Sequence, residues 1–173
     1  QAVRRLLDDS ARASGAEDFG LRLAARRSLS NLGPISLVLK EEPSARAALE
    51  TLCRYLRLLN ASLVTQLEES DGLLCISEDM LAEPGAALAQ SMQLAVGVMH
   101  RILQELMADR WRPLRVGLKQ QAVHDPERFE RFFGAPVLFG ANFNGIVCRA
   151  SDLAQGLSGS QTAMASFLRR YLD

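Results

Sequence analysis

The stretch Ser62-Leu63-Val64-Thr65-Gln66-Leu67-Glu68-Glu69-Ser70-Asp71-Gly72-Leu73-Leu74-Cys75-Ile76-Ser77 decides the fold. Its first half alternates, with Leu63, Thr65 and Leu67 on one side and Val64, Gln66 and Glu68 on the other. A period of two marks a strand with one covered face. Ser70-Asp71-Gly72 predicts a tight turn, because Asp and Gly tolerate the positive φ that a hairpin needs. Leu73 to Ser77 then predicts the return strand. Strands patterned on one side imply an antiparallel sheet with helices over its inner face.

The neighbouring segments fit that plan. Downstream, Glu83-Pro84-Gly85 is a break, and residues 86–108 predict the longest helix, with Leu88, Met92, Ala95, Met99, Ile102 and Leu106 as its apolar stripe. Trp111-Arg112-Pro113 stops it. Leu114, Val116 and Leu118 alternate with Arg115, Gly117 and Lys119, which predicts a further one-sided strand. A short helix opens at Pro126 behind the capping residue Asp125, ends at Gly134 and is barred from continuing by Pro136. Two strands around Val137 and Ile146 follow, arranged about a polar turn as a second hairpin. Ser160 begins a last amphipathic helix carrying Met164, Phe167, Leu168 and Tyr171.

Upstream, Val3, Leu6, Leu7 and Ala11 share a helical face that Ser14-Gly15 ends. Asp18 is placed to cap a second helix carrying Phe19, Leu21, Leu23 and Ala24. Pro34 suits the first turn of a short helix through about Lys40, and Pro43-Ser44 opens another with Ala45, Ala48, Leu49, Leu52, Leu56 and Leu59 repeating at three and four. The sum is an α+β fold: a mostly antiparallel sheet of about five strands with helices packed on one face. With no repeat and no low-complexity linker, residues 1–173 read as a single domain.

Composition narrows the function. Twenty basic residues balance twenty acidic ones over 173 residues, so no net field draws this chain to nucleic acid or anionic lipid. The three cysteines, Cys53, Cys75 and Cys148, sit in apolar runs and read as small buried hydrophobes in a reducing compartment. The sequence starts at Gln1 with no signal peptide and no membrane-spanning run, and it reads as a cytoplasmic piece of something longer.

Catalytic and metal-binding arrangements are not legible. His100 falls in line with Gln93, Gly97 and Gln104 on what reads as the polar side of the long helix, with no helical partner at ligand spacing. An exposed or interface histidine is the reading, and a haem ligand is the rival. His124 precedes Asp125-Pro126 and reads as a loop residue. Gly134, Gly140, Gly145, Gly156 and Gly159 form no phosphate loop. The neighbouring carboxylates Glu41-Glu42 and Glu68-Glu69 diverge rather than converge, as paired acid–base work would require. The sequence therefore predicts no enzyme, no catalytic residue, no metal and no cofactor.

One ordered set of segments carries a resemblance. Arg131-Phe132-Phe133-Gly134-Ala135-Pro136-Val137-Leu138-Phe139, then Phe143-Asn144-Gly145-Ile146-Val147 and Asp152-Leu153, resembles the N-terminal "arabinose-binding"-type domain of AraC-family transcription regulators. Phe19-Gly20-Leu21-Arg22-Leu23-Ala24, the helix with Leu49, Leu52, Arg54 and Tyr55, Trp111-Arg112-Pro113-Leu114, and Arg169-Arg170-Tyr171-Leu172-Asp173 fit in the right order. The resemblance implies a bacterial sensory and dimerising domain, a homodimer, whose contact with DNA runs only through a C-terminal helix-turn-helix module absent from this sequence. It implies a small organic effector, expected between the sheet and the long helix. Candidate lining residues are Tyr55, Met92, Met99, Trp111, Phe139 and Phe143, each with core packing as its alternative. The rival readings are a ligand-free dimerisation platform and a haem or gas sensor using His100.

Overall fold

The computed structural model describes residues 2–83 and 86–157; the helix expected from Ser160 lies outside them. The turn Asp71-Gly72, with φ of 53° and 74°, joins β1 (Leu63–Ser70) to β2 (Leu73–Met80) in register from Ser70 opposite Leu73 to Leu63 opposite Met80. Leu63, Thr65 and Leu67 face the helices together with Leu74, Ile76 and Glu78, as the alternation requires. The return strand runs three residues beyond Ser77, through Glu78-Asp79-Met80.

Three shorter strands complete the sheet: β3 (Arg115–Leu118), β4 (Val137–Phe139) and β5 (Gly145–Arg149), in the order β1-β2-β5-β3-β4. The expected second hairpin does not form. β5 pairs antiparallel with both β2 and β3, while β4 lies parallel to β3 at the edge. The reason is burial. Ile146, Val147 and Cys148 are all buried, a continuous apolar run that suits a central strand covered on both faces. β3 also departs from the one-sided reading, because the Phe143 ring packs over Gly117 on the face expected to be open.

The helices are α1 (Ala2–Ser14), α2 (Phe19–Ala25), α3 (Pro34–Lys40), α4 (Ala45–Leu59), α5 (Ala89–Met107), α6 (Pro126–Phe133) and α7 (Ala150–Leu153). Local chemistry sets their ends. Ser44 accepts from the Ala47 amide at 3.1 Å, Asp125 accepts from the Arg128 amide at 3.3 Å, and Gly134 closes α6 at φ 64°. Asp18 occupies the position before α2 but caps nothing. Its buried carboxylate instead accepts from Arg22 Nε and from the Arg128 guanidinium, both at 2.9 Å, and so ties α2 to α6. Burial opposes ionisation of Asp18, but the two arginines outweigh it and hold its pKa below the usual value.

Helix α5 is buried on two sides, which corrects the amphipathic reading. Met99, Ile102 and Leu103 enter the core with Leu74, Ile76, Val116 and Ile146 from the sheet. The other side, expected to be polar and exposed, meets α2. Gln90 accepts from the Gly20 amide at 2.8 Å, and Gln93 donates to the Glu17 carbonyl at 2.8 Å and to Gln120 at 3.0 Å. Glycine makes this approach possible, since a Cβ at Gly20 would overlap the Gln90 carbonyl oxygen. Gly20→Ala is therefore expected to cost about 1–3 kcal/mol through forced separation of α2 and α5. Urea unfolding of the variant checks this, and an unchanged midpoint would show that the two helices have slack.

Candidate functional site

A cavity of about 470 Å³ opens between α5 and the outer hairpin. Ser91, Leu94, Ala95, Val98, Met99 and Ile102 of α5 form one wall, at the three- and four-residue spacing of a helix face. Leu63, Glu78 and Met80 of the hairpin form the second. Val3, Arg4 and Leu7 of α1 form the third, and Leu56, Asn60 and Ser62 close the end beside α4. The lining is largely aliphatic with a few polar groups, the composition of a site for a small organic molecule.

Glu78 is the exception in that lining. It is 3% exposed, and among the described residues no hydrogen-bond partner reaches its Oε2. Its cross-strand neighbour Thr65 is buried too, and the Thr65 hydroxyl also lacks a protein partner. Burial alone pushes the Glu78 carboxyl up to about 7. Buried carboxylates without a partner are rare because desolvation is expensive, so such a group needs an explanation. The sequence did signal it: Glu78 continues the parity of Leu74 and Ile76, one step past the last residue read as strand.

The six candidate residues separate. Met99 lines the cavity. Tyr55, Met92 and Trp111 are buried outside its lining, and Phe139 stacks edge-to-face on Phe129 at 5.3 Å. Phe143 lines a second, polar cleft of about 300 Å³ on the opposite face of the sheet, with Gln66, Glu68, Asp79, Lys119 and Glu78, which borders both openings.

His100 is neither exposed nor at a surface. It is 2% exposed, its Nδ1 accepts from Trp111 Nε1 at 2.9 Å, and the rings of Phe132 and Phe133 lie 5.4 and 5.2 Å away. The side of α5 read as polar is the side that α2 and α6 cover, which is the reason for the correction. Burial first, then Arg101, lowers the His100 pKa to about 4, with the Phe132 backbone opposing weakly. His100 lines none of the cavities described here. Among the described residues no three His, Cys, Asp or Glu side chains are grouped to hold a metal. His124 is an exposed loop residue paired with Glu17 at 3.0 Å. All three cysteines are free thiols; burial raises Cys53 to about 11 and Cys148 to about 12, far from reactive thiolates.

A family model described as the arabinose-binding domain of AraC transcription regulator, N-terminal, matches residues 1–157. The crystal structure of transcriptional regulator CdpR from Pseudomonas aeruginosa superposes with a TM-score of 0.74 at 17% identity, covering 86% of this chain and 49% of that one. At that identity the likeness shows the fold, and the chain spans about half of that regulator's length. No curated protein sequence gives a significant match. No helix among the described residues is long and apolar enough to cross a membrane.

Glu78 also makes stability depend on pH. Folding raises its pKa from 4.5 to about 7, so the folded chain holds a proton that the unfolded chain releases. The stabilisation is present below about 4.5 and lost as pH rises through 7, a change of roughly 3 kcal/mol. His100, depressed from 6.5 to about 4, acts in the opposite sense, and its contribution is lost as pH falls through that window. Glu78→Gln should remove the carboxyl contribution alone. The stability of the variant relative to the parent should grow by roughly 3 kcal/mol from pH 4.5 to pH 8 in urea titrations; a constant difference would contradict a buried, titrating Glu78.

Proposed function

We propose a ligand-sensing role from the premise that this chain belongs to the N-terminal arabinose-binding domain family of AraC transcription regulators. The observation that carries the proposal is the cavity walled by α5, the β1–β2 hairpin and α1. A small organic effector seated there touches three elements at once. It fastens α1 to the hairpin through contacts that the empty domain lacks. An effector shifts an equilibrium only through such differential contacts, and coupling of about 1–3 kcal/mol is the usual scale for transmission to a second site.

The lining bears on the effector's character. A free pentose presents hydroxyls on every side and needs several converging polar partners, whereas the polar groups here (Arg4, Asn60, Ser62, Glu78 and Ser91) are outnumbered two to one by apolar lining residues. A molecule with a substantial apolar body suits these walls better than a sugar. DNA contact is assigned in this proposal to a helix-turn-helix module of the full-length regulator, since the balanced charge of this chain supplies no basic field. Self-association belongs to the same reading, and sedimentation of the chain reads it directly. The function is regulatory rather than catalytic in this account, with Glu78 as a binding group.

Thermal unfolding against a panel of amphiphilic metabolites tests the proposal, because a ligand that binds only the folded chain raises Tm. Ala95→Phe, which projects a ring into the cavity, is the control. The expected result is a ligand that raises Tm by several degrees in the parent and not in Ala95→Phe. A panel without effect, or a shift equal in both chains, would leave a ligand-free dimerisation platform as the better account.

A further inference from the structure

We propose that the cavity takes an organic ammonium, with an apolar body along α5 and a protonated amine donating to Glu78 Oε2. This rests on the ligand-sensing reading above and names the chemistry of its ligand. Two independent features meet in it. Apart from Ser91, the wall from α5 is apolar, which suits an alkyl or aryl body. Among the described residues, the one acidic group in the lining is a buried carboxyl whose Oε2 has no hydrogen-bond partner. An ammonium supplies what that oxygen lacks, a charge-assisted hydrogen bond in a low-dielectric site, where such bonds are strongest.

The surrounding charges are compatible with a cation. Arg4 of α1 is the one basic group in the lining, and it also lines the neighbouring cleft with Asp8 and Asp9, where its charge acts on Asp8. On α4, Cys53 senses the charges of both Glu78 and Arg57, and its own pKa near 11 keeps it a neutral thiol; Arg57 makes no hydrogen bond to Glu78 Oε2. α5 contributes no titratable side chain to the lining, and β1 contributes Leu63. Lys119 lines the polar cleft that Glu78 also borders, but it is paired with Asp79 at 2.7 Å, and Glu68 lines that cleft too. No cation in this set is placed to satisfy Glu78. A carboxylate ligand would instead set two acids together in an apolar site, which favours neither anion.

The ammonium brings a signature that a merely structural Glu78 would not show. Its binding requires the carboxylate form, so binding near neutrality releases a proton from Glu78, and affinity rises as pH rises through about 7. An alkylamine keeps its own proton over that range, with a pKa of about 10.

The test is calorimetric titration of the 173-residue chain with n-octylammonium, 1-octanol and octanoate, which share a chain length and differ in head group. The expected result is preference for octylammonium, with affinity about tenfold higher at pH 8 than at pH 6. Glu78→Gln should lose both the preference and the pH dependence, and Ala95→Phe should abolish binding. If that Gln variant does not fold, the head-group series and its pH dependence in the parent still decide. Equal or tighter binding of octanoate or octanol, or an amine affinity that is flat or falls with pH, overturns the ammonium proposal; loss of that binding in Ala95→Phe would leave the cavity reading standing. Failure of all three probes to bind, or binding indifferent to Ala95→Phe, overturns the cavity reading and the ammonium proposal with it.

Discussion

The burial of α5 on two sides is the constraint on which the rest of the domain depends. A helix covered on one face needs only an apolar stripe. This one also carries Gln90, Gln93, Gly97 and His100 into a second interface, where each has a specific task. Gln90 and Gln93 satisfy backbone groups of Glu17 and Gly20, Gly97 admits the Ala24 methyl, and His100 accepts the Trp111 indole proton. Polar side chains in such places cost stability unless they are partnered; the two glutamines are, while the buried His100 Nε2 has no partner among the described residues. The interface therefore fixes the position of α5 closely, and with it one wall of the cavity.

Much of this was legible in the sequence, and the failures have identifiable physical causes. The hairpin, the Pro34 helix, the Ser44 and Asp125 caps and the Gly134 stop follow from local chemistry that needs no tertiary partner. The pairing of β5 between β2 and β3 depends on long-range competition among short strands, although the unbroken run Ile146-Val147-Cys148 hinted at a central place. The sequence misplaces His100 and Gln93 because polarity along a helix does not by itself mean exposure. A second helical layer reverses that inference, and the cue was a glycine on each helix at the contact, Gly20 against Gln90 and Gly97 against Ala24, visible only once both helices are docked. Asp18 looked like a cap by position and proved to be a bridge to Arg128, 110 residues away.

The candidate site shows the same division. Aromatic residues and methionines were the natural sequence choices for a pocket, yet in this fold Tyr55 and Trp111 fill the core while the cavity is walled by ordinary aliphatics and Met99. Its distinguishing residue, Glu78, is unremarkable in sequence, one more acid in a strand that ends in Glu78-Asp79. Only the parity of the strand reveals that its carboxyl points away from solvent. A buried, unpartnered acid in an aliphatic wall destabilises the empty domain near neutral pH, and a ligand that pairs with it recovers that free energy on binding. This links the instability of the free state to responsiveness.

The most direct measurement is a carbon-13 NMR titration of the Glu78 side-chain carboxyl, with and without saturating n-octylammonium. The account predicts a midpoint near 7 in the free chain, falling to about 5 or below when the ammonium is bound. A midpoint at the ordinary value of 4.5 in the free chain, or one that the amine leaves unmoved, would contradict it.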